Sequence, residues 1–260
     1  MGSLEEPGDN WSALPGVYMP PGARNITLKS GLEFGRSDGA DARGLLALLV
    51  GAGGASAHQH WTDFTTLYPT PGETDSLYVR SGHNFPKTTL KVSEKVMQGV
   101  TVRTPDGQTL AVDVDAAKKQ WLGALRPAGL GVYLVTFTLK RARAPKPSYE
   151  AKTILVAGAE DDAPEKYGLG SGLELIPGRV VSGLRPGDEL PISLVLDGVP
   201  VGGELEVVPE DGKAVYPKTS PEQPAMFIVK TPGRYLVTGS IKGRGCSLVF
   251  QVREAGEVSK

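Results

Sequence analysis

Two of the three histidines in this chain lie two residues apart, directly after a run of small residues. His58 and His60 follow Ala55-Ser56-Ala57, and His83 comes later in the stretch Ser81–Pro86. Imidazole nitrogens bind zinc, copper, iron and nickel in proteins. These histidines are therefore the residues whose type and spacing indicate chemistry, and that chemistry is the binding of a divalent metal ion.

The residues before His58 are typical of a secretory signal peptide. Arg43 precedes an apolar run, Leu45–Val50, and Ala55-Ser56-Ala57 has the A-x-A form of a cleavage site. We therefore expect residues 1–57 to be a leader and signal peptide, and the mature chain to begin at His58 in the periplasm or outside the cell. The alternative interpretation of the apolar run is a short buried helix of a globular domain.

A chain that begins His58-Gln59-His60 places a free α-amine beside two imidazoles, and two site geometries follow. In one, this amine, the next two peptide nitrogens and the imidazole of His60 form a square plane, which suits Ni²⁺ and Cu²⁺. In the other, the amine and imidazole of His58 bind together with His83, the third histidine. The sequence leaves both open, beside the alternative that these histidines bind nothing. We predict His58, His60 and His83 as the metal ligands.

Composition argues against several other classes of function. The net charge of −1 does not suit a nucleic-acid-binding protein. No apolar run approaches the roughly 18 residues of a membrane span, so we expect no membrane-spanning segment after cleavage. The chain has no G-x-S-x-G motif for a Ser-His-Asp triad, and Asp113 and Asp115 are typical of solvated acids on a strand. We expect no enzymatic activity.

Glycine and proline are frequent, 34 and 21 residues, which favours short strands and turns over helices. Val100–Val114 has alternating apolar residues on both sides of Pro105-Asp106-Gly107, the pattern of a β-hairpin. Gly131–Leu139 and Lys152–Gly158 predict further strands. Ala116–Leu125 is the best candidate for a helix.

The predicted fold class is all-β, with two β-sandwich (Ig-like) domains after the cleaved signal segment. The N-terminal domain, residues 58–158, carries the metal site, and residues 159–172 are acidic, glycine-rich and without periodicity, which predicts a linker. Residues 173–254 show strands separated by Gly and Pro turns, typical of a sandwich. In this half, Tyr235 is predicted to be a core or corner tyrosine.

Several short motifs resemble the NikM-like family. They are Ala57-His58, Gly82-His83-Asn84-Phe85, Glu174-Leu175-Ile176-Pro177, Arg185-Pro186-Gly187-Asp188 and Gly198-Val199-Pro200, and the resemblance covers nearly all of Ala57 to Val252. Asn84 stands where the family has proline. The family has long been catalogued as a domain of unknown function. The resemblance implies a β-rich, two-domain periplasmic protein that handles Ni²⁺ or Co²⁺ beside a membrane metal permease.

Three other functions compete with this one. A copper carrier also begins with histidine after cleavage, and so does a copper oxygenase that uses a terminal histidine. For both of these the ion would be Cu²⁺. The third alternative is an adhesion or carbohydrate-binding module in which the histidines bind no metal.

Overall fold

A computed structural model describes residues 58–140, 146–158 and 162–254. The predicted leader, signal peptide and cleavage site lie outside these residues. Within them the chain is all-β, as expected, and its one helical element is a short 3-10 turn, Pro164–Lys166. None of the described helices has the length and apolar character required to cross a membrane.

Sixteen strands make up the described structure. Those of the first half are β1 Gln59–Phe64, β2 Asp75–Gly82, β3 Met97–Arg103, β4 Thr109–Val112, β5 Val114–Ala116, β6 Trp121–Leu125, β7 Gly131–Leu139 and β8 Tyr149–Ala157. Those of the second half are β9 Leu173–Pro177, β10 Glu189–Leu196, β11 Val199–Val201, β12 Gly203–Pro209, β13 Lys218–Thr219, β14 Ala225–Ile228, β15 Gly233–Ile241 and β16 Arg244–Val252.

The strands form three sheets, one large and two small. The large sheet has eight strands in the order β13-β12-β15-β16-β8-β7-β3-β4. A four-stranded sheet has the order β1-β2-β6-β5, and a second contains β11, β10 and β14, with β9 also pairing with β10. Among the described strands, every pair is antiparallel except β8 with β16, which are parallel.

The two small sheets cover opposite faces of the large one. Along β7, Val132 and Leu134 contribute to one hydrophobic core, whereas Tyr133 and Val135 contribute to the other. Successive side chains of a strand point to opposite faces of its sheet. The core that includes Val132 lies beneath the sheet of β9 and β10, and the other core lies beneath the sheet of β1 and β2. The result is a β-sandwich with three layers.

This arrangement corrects the predicted division into two domains at 159–172. Residues on both sides of that segment belong to one sheet, because β8 pairs with β16 from Tyr149↔Gly245 to Thr153↔Val249. The described residues also form a single compact unit. The sequence signal for a linker reflected acidic and glycine-rich composition, which does not reveal the pairing of distant strands.

The end of the predicted linker is held by a buried ion pair. Lys152 Nζ lies 2.6 Å from a carboxylate oxygen of Glu174 and donates to the carbonyl of Tyr167, also at 2.6 Å. The Glu174 carboxylate accepts further hydrogen bonds from the backbone N–H groups of Leu169 and Gly170. Both charged side chains are at most 3% exposed. Removing one partner of such a pair leaves a buried charge uncompensated.

The helix predicted at Ala116–Leu125 is wrong. This segment contains the end of β5 and the whole of β6, which pair antiparallel from Val114↔Gly123 to Ala116↔Trp121. Trp121 is buried in the core beneath the sheet of β1 and β2, and its indole N–H donates to the carbonyl of Val92. Pairing with neighbouring strands and burial of the tryptophan have overridden the local helical preference.

Other predictions of local structure are confirmed. The hairpin around Pro105-Asp106-Gly107 is formed by β3 and β4, and Gly107 has a positive φ of 85°. Tyr235 is a corner tyrosine, since its hydroxyl donates to the carbonyl of Thr231 and accepts from the N–H of the same residue. Tyr133 forms the same pair of bonds with Gly129. Tyrosine corners are a feature of Ig-like sandwiches.

The shared sheet predicts that both cores unfold together. Leu190→Ala, in the core beneath β9 and β10, should destabilise the protein by about 2–5 kcal/mol. In the chain that begins at His58, the tryptophans are Trp61 and Trp121, both in the other core. We expect the urea transition followed by tryptophan fluorescence to shift as much as that followed by far-UV circular dichroism.

Val199→Ala is the matched control, because this side chain lies in the same small sheet and is exposed. It should leave both transitions close to those of the parent protein. A fluorescence transition that does not move in Leu190→Ala would show that the two cores unfold independently.

Candidate metal centre

The start of β1 is held against the large sheet by side chains from β8 and β16. The peptide N–H of His60 faces the hydroxyl of Tyr149 at 3.4 Å, and the hydroxyl of Ser247 donates to the carbonyl of His60 at 2.6 Å. The ring of His60 lies edge-on to that of Tyr149, with the centroids 4.8 Å apart. The backbone of His60 therefore has fixed partners on the side facing away from β2.

The side chains of Thr62 and Asp63 fix the rest of β1. The hydroxyls of Thr62 and Thr153 lie 2.5 Å apart in the buried space between the sheets. Asp63, which is 0% exposed, forms ion pairs with Arg80 of β2 at 2.6 Å and with Arg234 of β15 at 2.9 Å. Burial raises the pKa of Asp63, while Arg234 and Arg80 act in the opposite direction. The strand that carries His60 is thus anchored to four other strands, β2, β8, β15 and β16.

His83 follows the last residue of β2 in a tight loop. At Gly82 an added Cβ would lie 2.7 Å from the carbonyl oxygen of Lys87, so this close approach requires glycine. Phe85 is buried and packs edge-on against Trp61 of β1, with ring centroids 5.6 Å apart. The glycine and the aromatic contact together place His83 beside the start of β1.

The fold brings the three predicted ligands together. The ring centroids of His58 and His83 lie 4.7 Å apart, and those of His58 and His60 lie 6.5 Å apart. Imidazoles that bind one ion at about 2.0–2.1 Å have centroids about 4.5–6.3 Å apart, depending on the angle at the metal. The first pair is already within this range, and the second is just outside it.

His60 is the most enclosed of the three. Burial, and then the neighbouring His58, lower the pKa of His60 from 6.5 to about 4. Its Nδ1 is buried and has no hydrogen-bond partner among the described residues. An imidazole must be neutral to bind a metal ion. At neutral pH, His60 therefore offers an unprotonated ring without competition from a proton.

Unpaired polar atoms are concentrated around His60. Its neighbours Gln59 and Trp61 each have one as well, the side-chain carbonyl oxygen of Gln59 and the indole nitrogen of Trp61. Buried polar atoms without partners are rare in folded proteins, and three consecutive residues with one each are unusual. The start of β1 thus has hydrogen-bonding and ligating capacity that the described residues do not use.

The backbone geometry distinguishes between the two sites that the sequence left open. A square-planar terminal chelate requires the peptide nitrogens of Gln59 and His60 to turn inward around the ion and lose their protons. In the structure these residues are already paired in a strand, with Gln59 opposite Gly82 and His60 opposite Ser81. The square plane would require the start of β1 to detach. The proximity of His58 to His83 favours the second geometry.

The three rings are neighbours and are not yet arranged for coordination. Among the described residues, no group of three or more His, Cys, Asp or Glu side chains is positioned to hold a metal ion. His58 and His83 are exposed, so an ion can reach their side chains from solvent. Cys246 contributes nothing, because it is fully buried and burial raises the pKa of its thiol.

Sequence reasoning identified the histidines and missed the residues that position them. Tyr149 and Ser247 lie far from His60 along the chain, and Tyr149 precedes the strand predicted at Lys152–Gly158. Nothing local in the sequence indicates that the two side chains lie beside His60. Phe85 was part of a recognised motif, although its packing against Trp61 was not expected.

A family described as "Domain of unknown function (DUF4198)" matches residues 55–243. No curated protein matches this chain. Similar solved structures include a two-domain fibronectin type-III segment of chicken tenascin, with 12% identity, coverage of 74% of this chain and 97% of that chain, and a TM-score of 0.24. Trypsin-activated alpha-2-macroglobulin from Escherichia coli has 14% identity, coverage of 75% and 15%, and a TM-score of 0.30.

The buried state of His60 predicts a specific dependence of stability on pH. The unfolded chain takes up a proton at His60 below about pH 6.5, whereas the folded chain does so only near pH 4. The free energy of unfolding should therefore fall as pH decreases between these values. At pH 4.5 this loss amounts to about 2–3 kcal/mol relative to pH 7.

Urea unfolding at pH 7 and pH 4.5, with a chelator present, measures the effect. His60→Gln lacks the titrating group and should lose about 2–3 kcal/mol less than the parent protein over this interval. His83→Gln, a replacement at an exposed position, should retain the parent dependence. Equal losses in the parent and His60→Gln proteins would contradict the prediction.

Proposed function

This chain belongs to the DUF4198 family, a domain of unknown function, and we propose that it is an exported metal-binding protein that assists the uptake of nickel or cobalt. His58, His60 and His83 are the proposed ligands, and the ion is cargo. The proposed location is the periplasm, and the proposed partner is a membrane metal permease that receives the ion. The protein itself performs no chemical reaction.

The convergence of the histidines carries this proposal. The chain has three, and all of them meet at one corner of the fold although His83 is separated from the others by a whole strand, β2. Packing of the core does not explain why the three histidines lie together, since the rings of two of them, His58 and His83, are exposed. Clustered imidazoles suit borderline divalent ions such as nickel.

The different environments of the three rings suit a site that loads and unloads. His60 is enclosed, unprotonated at neutral pH and held by the backbone contacts to Tyr149 and Ser247. It can serve as the fixed ligand. His58 and His83 are exposed, so an ion can reach them from solvent and leave by the same path. The expected amine of a chain beginning at His58 would add a fourth nitrogen.

The resemblance to the NikM-like family supports nickel or cobalt as the bound ion. Titration with different metals can test this directly. Copper favours the same nitrogen ligands and generally binds them more tightly. A copper carrier, or a copper oxygenase with a terminal histidine, would therefore use the same corner. A module that binds no metal would leave the three histidines without a ligand.

Isothermal titration of Ni²⁺, Co²⁺, Cu²⁺ and Zn²⁺ into the chain that begins at His58 tests the proposal. We expect one equivalent of Ni²⁺ or Co²⁺ to bind. His60→Ala and His83→Ala should each weaken binding at least about tenfold, which corresponds to about 1.4 kcal/mol. Asn84→Ala, an exposed neighbour of His83, is the matched control and should bind like the parent.

A chain with one glycine before His58 should also bind more weakly, because the amine is displaced. Full affinity in His60→Ala, with binding lost in His83→Ala, would restrict the ligands to His58 and His83. Full affinity in both variants would refute the proposed ligand set. Loss of binding in His60→Ala alone, with square-planar absorption in the parent, would indicate the terminal chelate instead. Binding of copper alone, with oxygen consumed in the presence of a reductant, would support the oxygenase, and no binding would support the non-metal module.

A further inference from the structure

The strand β14 lies at an edge of its sheet on the side of the molecule formed by the second half of the chain. It pairs with β10 from Glu189↔Ile228 to Ile192↔Ala225, and no described strand pairs with it on the other side. The edge lies beside an apolar groove of about 520 Å³. The lining of this groove includes Glu189, Val215, Tyr216, Met226, Ile228 and Lys230.

The backbone groups of Met226 and Ile228 point away from β10. Val229 donates its N–H to Asp188 and accepts from Gly187, so its backbone groups face towards β10. Backbone direction alternates along a strand. The pairing of Met226 with Pro191 agrees with this alternation, because Pro191 has no N–H to donate to Met226. The outer edge of β14 therefore has two N–H and two C=O groups available for pairing.

The side chains of the same residues form an exposed apolar patch. Met226 is 49% exposed and Ile228 is 54% exposed, and across the groove Tyr216 is 59% exposed and Val215 is 36% exposed. Edge strands are normally protected from pairing by charged residues, proline, bulges or a covering segment. No charged side chain occurs between Ala225 and Val229. Ala225–Val229 itself therefore has neither a charge nor a proline that would block pairing, and Pro224 and Lys230 flank it.

We propose that β14 pairs antiparallel with β14 of a second copy of this chain, which extends both sheets across a twofold axis. The outward-facing residues set the register, with Met226 opposite Ile228 of the second copy and Phe227 at the axis. This register forms four backbone hydrogen bonds. It also places the side chain of Met226 in each copy against that of Ile228 in the other copy. The surface is therefore self-complementary, as a twofold interface requires.

Charge and area are both consistent with a reversible dimer. The groove is lined by one acid, Glu189, and one base, Lys230, so two copies meet without net like-charge repulsion. The exposed parts of the four apolar side chains amount to on the order of 400 Å² per copy, below the roughly 800 Å² per partner of a standard stable interface. A second copy thus associates weakly, with a monomer and dimer in exchange.

Sedimentation velocity between about 5 and 500 µM tests this in the chain that begins at His58. The parent protein should shift from monomer to dimer across this range, and Ile228→Lys should remain monomeric, with at least a tenfold increase in the dissociation constant. Leu110→Lys is the matched control, because Leu110 is 49% exposed on β4, an edge strand of a different sheet. It should dimerise like the parent.

Cross-linking tests the register. A mixture of Met226→Cys and Ile228→Cys proteins, treated with a short bis-maleimide, should give more cross-linked dimer than either protein alone, because paired residues lie about 5.5 Å apart. The native Cys246 is buried and should not react. A monomeric parent at 500 µM, or a dimer unaffected by Ile228→Lys, would overturn the proposal. Neither result depends on whether the histidines bind metal.

Discussion

The parallel pairing of β8 with β16 is the interaction on which the rest of the structure depends. It joins strands from the two halves of the chain into one sheet and leaves β8 with a neighbour on each side. Ile154 and Val156 can then contribute to one core while Leu155 contributes to the other. A chain divided at 159–172 would leave the outer side of β8 unpaired and both cores open at one edge.

The same pairing also positions the candidate metal centre. Tyr149 and Thr153 are on β8 and Ser247 is on β16, and together they bind the backbone of His60 and the side chain of Thr62. The strand that carries His60, β1, therefore rests on a surface to which both halves contribute. Without this support, the histidines at the start of β1 would lose more configurational entropy on binding an ion.

Buried charges reinforce these contacts between distant segments. Asp63 connects β1 to Arg80 and to Arg234, and Lys152 connects β8 to Glu174 of β9. Buried ion pairs contribute little net stability compared with apolar packing, and their loss is costly once they are present. Their effect is to select one arrangement of the strands, since a shifted register would bury these charges without partners.

The sequence by itself determined the all-β class, the strands with regular alternation, the turn glycines and the three histidines, because these depend on neighbours a few residues apart. Only the tertiary structure decided that the two halves share a sheet, that Ala116–Leu125 forms strands, and that His58 lies beside His83. It also decided that Tyr149 holds His60. These features depend on pairing between residues far apart in the chain. The alternation of apolar and polar residues along a strand specifies which face of that strand is buried, and it does not specify which other strand pairs with it.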